Sequence, residues 1–210
     1  KLLYPSLADR AFQDMYALLN DHVGRLYEAI HRVSGLNVLV DSSKWPLYAI
    51  FLSNLGFDVR IIHLVRDSRG VVYSWKYKRK IDPSFHDAYY IVNVENTGKV
   101  SLEWDKSNLL THMVAKLNKV KGYTLLKYED LVADGNIMEV VLRRIGLKSL
   151  EEKQVNLQNH TVAGNPVRFN PELKLTPDIE YLQRMPAKDF FLTTAYTWPL
   201  LLLYRYRLTR

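Results

Sequence analysis

Apolar residues near the start of the chain recur every three or four positions: Leu7, Phe12, Met15, Leu18, Leu19, Val23, Leu26, Tyr27 and Ile30. That period predicts an amphipathic helix over residues 7–33, broken or bent near Gly24 and stopped by Gly35. The pattern then shortens. "NVLVD", residues 37–41, is a β-branched run that leads into the polar cluster "DSSK", and it reads as a strand and a loop. Pro46 opens a second helical stretch, "PLYAIFLSNLG", closed by Gly56. "DVRIIHLV" (58–65) is the strongest strand of the chain, and its nearly continuous apolar character fits a sheet buried on both faces. A polar turn and another helix follow it.

Residues 80–98 are polar and lack clean periodicity, which predicts a long, mobile loop of the kind that covers a site. Helix returns over 100–117, with Leu102, Leu109, Leu110, Met113 and Leu117 on one face. "YTLLKYEDL" reads as a strand running into an acidic turn, and "NIMEVVLRRIGL" as a helix ending at Gly146. Strands that alternate with helices imply βαβ units. The expected fold class is α/β: a single three-layer domain over 1–210, with a mainly parallel central sheet flanked by helices.

Composition narrows the picture. Of 210 residues, 48% are apolar, enough to bury a real core, and an excess of 29 Lys and Arg over 22 Asp and Glu gives a net charge of +7, which favours anionic partners. No cysteine is present, so disulfides, thiolate metal sites and cysteine nucleophiles are excluded, and a reducing, bacterial-type cytoplasmic setting is the expectation. No two histidines show a metal-ligand spacing such as H-x-x-x-H. The charge-free run Phe190–Tyr204 is too short to span a bilayer and contains Pro199, so it reads as a buried C-terminal helix in preference to a membrane-interfacial segment.

The chemistry gathers at the strand ends. "DSSK" follows the first strand, "RDSR" the second and "YED" the third, and ligands of open α/β sheets lie beyond the carboxyl ends of the strands. In "HLVRDSRGVVYSW", Arg66 leaves the strand, Ser68 can cap the following helix, and Gly70 and Ser74 share a helix face. A guanidinium fork, a hydroxyl and free helix-start amides suit one phosphate. The same letters also allow a local Arg66–Asp67 ion pair with Ser68 merely capping, and "DSSK" allows an Asx-type turn with a solvated lysine.

Four blocks, "VDSSKWPLYA", "IHLVRDSRGVVYSW", "KYEDLVAD" and "HTVAGNPVRF", in this order and spacing, resemble the sulfotransferases that use 3′-phosphoadenosine 5′-phosphosulfate, especially bacterial and carbohydrate-type members. The resemblance covers about residues 25–205. It implies a P-loop-NTPase-like sulfotransferase fold, the phosphosulfate as donor, 3′-phosphoadenosine 5′-phosphate as product, no metal, and a small-molecule or carbohydrate acceptor. It gives Arg66 and Ser74 the donor's 3′-phosphate, Tyr128 an approach to the nucleotide, and Gly164, Asn165 and Arg168 a segment closing over the phosphate. Lys44 takes the place of the cation that faces the transferring sulfuryl group, where a fixed positive charge stabilises the oxygens that gain charge.

The general base is less well marked. Asp41 is the carboxylate nearest Lys44 in sequence, and it also suits an N-cap or a partner to that lysine. Among six histidines, His63 reads as a core residue, His86 lies in the 80–98 loop, and His160 precedes "GNPVR". The family's opening strand and glycine-rich turn, which grip the 5′-phosphosulfate, have no counterpart in residues 1–40, so the chain is expected to begin after them. Tyr77, Phe85, Tyr89, Tyr90 and Trp104 suit either an acceptor pocket or a core. Two other classes compete. A P-loop kinase would need the G-x-x-x-x-G-K-[ST] motif, which is missing. A nucleic-acid-binding module would place its basic residues along one exposed face, not at strand ends, so no nucleic-acid partner is expected.

Overall fold

The computed structural model describes residues 1–78, 96–117, 119–147 and 176–210. The described elements are helices α1 (Arg10–Ser34), α2 (Pro46–Asn54), α3 (Ser68–Tyr73), α4 (Thr97–Ala115), α5 (Tyr128–Ala133), α6 (Ile137–Arg144), α7 (Glu180–Arg184) and α8 (Ala187–Leu203) and strands β1 (Arg60–Val65) and β2 (Gly122–Lys127). A π-helical turn over Ser74–Lys78 continues α3. The protein is therefore mixed α/β and mostly helical among the described residues, with β1 and β2 side by side as a small two-stranded parallel sheet. It divides into two compact units, residues 1–61 with 107–123 and residues 62–106 with 124–210.

In the first unit, α1 begins where the Asp9 carboxylate accepts the Phe12 amide at 2.9 Å. It ends at Gly35, whose φ of +67° supplies the left-handed cap that a side chain would disfavour. The expected break at Gly24 is absent: one helix runs through it, because a lone glycine costs only about 1 kcal/mol against alanine. Tyr16 of α1 meets Phe51 of α2 edge to face at 5.6 Å, and Phe12, Val23, Tyr27 and Tyr48 pack around them. Asn54 donates to the Tyr16 hydroxyl and to the Leu2 carbonyl, each at 2.9 Å. Residues 37–41, expected as a strand, form none. A β-branched run has no strand of its own without a partner to pair with, and this one lies exposed.

The second unit holds two adjoining apolar clusters. Val65 packs with Trp104, Leu200, Leu201, Tyr204 and Tyr206. Val72 and Tyr73 pack with Val100, Tyr181, Met185 and Phe190. Close approach of α3 to α8 is allowed by small hydroxyl residues: Ser68 and Thr197 share a hydrogen bond of 2.8 Å, and Thr197 donates on to the Thr193 carbonyl at 2.8 Å. The sheet is covered on one face only. His63, Val65, Thr124 and Leu126 point inward, whereas Ile62, Leu64 and Leu125 are exposed, so the expectation of burial on both faces fails among the described residues. His63 is a core residue, as its sequence context predicts, set edge-on to Tyr204.

α4 buries the face opposite to the one its leucines predict. Val100, Ser101, Trp104, Asn108, Thr111 and Val114 are inside, and Leu102, Leu109 and Met113 are exposed. Trp104 decides the orientation, because its ring fills the cluster under β1 while its indole N–H donates to the Arg66 carbonyl at 3.1 Å. No helix among the described residues is long and apolar enough to cross a membrane.

One ion pair ties this unit together. Asp67 and Arg69, with side chains only 3% exposed, bond bidentately at 2.8 and 2.6 Å. Breaking a buried pair by removing one partner costs about 3–5 kcal/mol, since the other charge is left uncompensated. Asp67→Ala is therefore expected to lower the unfolding free energy by about that amount in urea titration. A loss under about 1 kcal/mol would show that the pair holds little.

Candidate functional site

Arg66 and Tyr128 directly follow β1 and β2, and the two strands are parallel, so both residues leave the same carboxyl edge of the sheet. The structure brings them together: the Arg66 guanidinium lies over the Tyr128 ring at 5.1 Å. Its Nη2 donates to Asp178 at 2.8 Å, and both side chains are about a quarter exposed. The Tyr128 hydroxyl donates to the Thr176 carbonyl at 3.4 Å. Gly70 permits this placement, because a Cβ there would stand 3.1 Å from Arg66 Nε and 3.3 Å from the Tyr181 ring.

Beneath Arg66 the turn is over-determined. The α3 cap is Asp67, which accepts the Arg69 amide at 2.9 Å, and not Ser68, whose hydroxyl is spent on Thr197. The alternative Arg66–Asp67 pair is also not what forms: Asp67 pairs with Arg69, and Arg66 with Asp178. The Asp67 amide donates to Glu129 at 3.1 Å, the Tyr181 hydroxyl donates to Asp67 at 3.0 Å, and the Tyr206 hydroxyl donates to Glu129 at 2.6 Å. Burial first, then Asp67 and Glu129 respectively, push the Tyr181 and Tyr206 hydroxyls far above the ordinary phenol range, so both remain neutral donors. Asp67 and Glu129 thus link the ends of both strands.

Ser74 opens the π-helical turn one helical turn beyond Gly70, half-buried, with its amide bonded to the Gly70 and Val71 carbonyls. Such turns recur at functional sites. The rest of this turn is held by Asp189 at the start of α8, which accepts Lys76 at 2.8 Å, Thr97 at 2.8 Å and the Tyr77 hydroxyl. Burial alone would raise the Asp189 carboxyl, but hydrogen bonds from Lys76, Tyr77 and Thr97 hold it below the usual carboxylate range. Trp104 is a core residue, and Tyr77 points its hydroxyl into this network.

Lys44 and Asp41 belong to the first unit. Asp41 accepts the Tyr27 hydroxyl, and the Ser43 amide donates to it at 2.7 Å, which is the Asx-type turn that "DSSK" allows. Burial alone would raise its carboxyl, yet these hydrogen bonds hold it low, and a depressed carboxylate is a weak base. Lys44 is exposed at a φ of +65°, uncommon for a residue with a side chain. Its ammonium has no hydrogen-bond or ion-pair partner among the described residues. Gly164, Asn165 and Arg168 lie outside the described residues, as do His86, His160 and most of the 80–98 segment.

Sequence reasoning missed two carboxyls. Asp178 is 112 residues from its partner Arg66, a separation at which no local pattern can announce the pair. Asp105, on α4 beside Trp104, has a buried Oδ1 without a partner among the described residues, and burial pushes its carboxyl up to about 6. A carboxyl tuned to that range suits acid–base work; its only sequence signal is a place beside the buried stripe of a helix.

No group of three or more His, Asp or Glu able to hold a metal is present among the described residues. An open depression of about 560 Å³ among them lies elsewhere, between Leu125, Val141, Arg144 and Leu203, and does not include Arg66. Compared with known proteins, the chain matches no family model, no curated protein and no solved structure.

The Asp105 carboxyl yields a pH test. Folded, it keeps its proton to a higher pH than unfolded, so its contribution to stability is full below about pH 4 and is lost as the pH rises through about 6. Asp105→Asn is expected to leave stability at pH 4 nearly unchanged and to raise it at pH 8 by on the order of 1 kcal/mol, after allowance for solvent screening. Equal effects at both pH values in denaturant titrations would contradict the assignment.

Proposed function

We propose that the chain is a sulfotransferase of the three-layer α/β type, moving a sulfuryl group from 3′-phosphoadenosine 5′-phosphosulfate to a hydroxyl or amine of a small-molecule or carbohydrate acceptor. The observation that carries this reading is the Arg66–Tyr128 stack past the carboxyl ends of two adjoining parallel strands, the place where open α/β sheets bind ligands. The four sequence blocks add the donor's identity. Arg66 is assigned the 3′-phosphate, with Ser74 as a hydroxyl donor and Tyr128 beside the nucleotide. Asp178 occupies the guanidinium as an anion of the chain's own; a phosphate dianion offers more charge and more acceptor oxygens and would compete for the same fork. Arg168, with Gly164 and Asn165, is assigned the closing segment on the resemblance alone.

In the transfer, the acceptor oxygen or nitrogen attacks sulfur, the bond from sulfur to the 5′-phosphate oxygen breaks, the nucleotide leaves with the electron pair, and the acceptor's proton passes to water. Lys44 is assigned the cation that offsets this charge, a role that suits an ammonium with no competing partner among the described residues. Asp41 is better suited to holding the turn that carries Lys44 than to taking the acceptor's proton.

Thermal unfolding in the presence of 3′-phosphoadenosine 5′-phosphate, ATP or single-stranded DNA discriminates the three ligand classes. Stabilisation by the first is expected, and Arg66→Ala should weaken it about ten- to a hundredfold, the value of a charge-assisted contact. Stabilisation by ATP or DNA alone would overturn the reading, and an unchanged affinity in Arg66→Ala would remove this arginine from the site.

A further inference from the structure

α8 has two apolar faces, and only one of them is used. Phe190, Thr193, Thr197, Leu200 and Leu201 are buried in the second unit. Opposite them, Phe191, Trp198 and Leu202 are 69, 52 and 50% exposed. With Ala195 these residues lie within one narrow stripe of the helix, at steps of four, three and four residues, and the stripe is about 16 Å long.

The charge pattern says what such a face meets. α1 also exposes leucines, but Arg10, Asp14, Asp21, Arg25, Glu28 and Arg32 alternate with them. From Phe190 to Tyr204 there is no charge at all. The stripe is bounded by Lys188 at one end and by Arg205 and Arg207 at the other, all exposed and without an ion-pair partner among the described residues. The one acid of the helix, Asp189, is turned inward and bonded to Lys76, Tyr77 and Thr97. An uncharged aromatic and aliphatic stripe between unpaired cations complements a surface that is apolar at depth and negative at its rim.

We propose that α8 docks on the surface of an anionic lipid bilayer, with Phe191, Trp198 and Leu202 at the level of the acyl boundary and Lys188, Arg205 and Arg207 among the headgroups. The helix lies along the surface and does not cross it, consistent with its 17 residues and with no described helix being long and apolar enough to span. Its buried face stays in the core, so docking requires no unfolding. The proposal is independent of the sulfuryl-transfer reading.

Co-flotation of the 210-residue chain with vesicles of phosphatidylcholine, and with vesicles in which about one lipid in four is phosphatidylglycerol, tests it. The chain is expected to float with the anionic vesicles, less with the neutral ones, and to be released by high salt. Phe191→Ser with Trp198→Ser should weaken anionic binding by at least about tenfold. Arg205→Glu with Arg207→Glu should abolish the difference between the two vesicle types, and circular dichroism checks that both variants stay folded. Flotation with neither vesicle, or unchanged flotation of both variants, would overturn the proposal. So would a dimer in light scattering that Trp198→Ser dissolves without any flotation, since a second copy would then be what covers the stripe.

Discussion

The buried pair of Asp67 and Arg69 is the constraint on which the second unit depends. Two charges that are almost fully hidden need hydrogen bonds beyond their own pairing, and these come from distant parts of the chain: Tyr181 on Asp67 and the Arg207 carbonyl on Arg69. Phe190 lies under the Arg69 guanidinium at 4.7 Å. The strand-to-helix turn, α7, the start of α8 and the C-terminal tail are thereby fixed to one another. Glu129 extends the same frame to the end of β2 by accepting the Asp67 amide. Such a network stiffens the elements that it joins, although one of its buried donors, Arg69 Nη1, has no hydrogen-bond partner among the described residues.

That rigidity is what gives Arg66 its setting. The residue sits between two immobilised neighbours, its own carbonyl held by Trp104 and the next amide held by Glu129, so its guanidinium leaves the turn in a defined direction over Tyr128. Stability and site are built from the same few residues, with Asp67 and Arg69 turned inward and Arg66 turned out. A surface arginine without this backing would lose far more side-chain entropy on gripping an anion.

Much of this was readable in advance where the cause is local. Gly35, Pro46 and Gly56 marked real helix limits, and β1 appeared where its apolar run lies. Arg66 and Tyr128 are legible as strand-end residues from the sequence, whereas their contact is not. Where two residue types can do the same job, sequence did not choose: Asp67 and Ser68 are both capping residues, and tertiary demand from Thr197 assigned Ser68 elsewhere. The face of α4 was misread because leucines outnumber other apolar residues on one side, while a single Trp104 with small polar neighbours fills the space below β1. The first of the three expected strands does not form for a related reason, since pairing is a property of two segments and "NVLVD" shows only one. Asp178 and Asp105 were invisible because partnership across more than a hundred residues and depth of burial are not written in local spacing.

The central claim is that the Arg66–Tyr128 edge takes the 3′-phosphate of an activated sulfate donor. A crystal structure of the chain with 3′-phosphoadenosine 5′-phosphate tests it most directly. The account predicts the 3′-phosphate within hydrogen-bond distance of the Arg66 guanidinium and the Ser74 hydroxyl, with Asp178 displaced. A nucleotide bound elsewhere, with the Arg66–Asp178 pair intact, would contradict it.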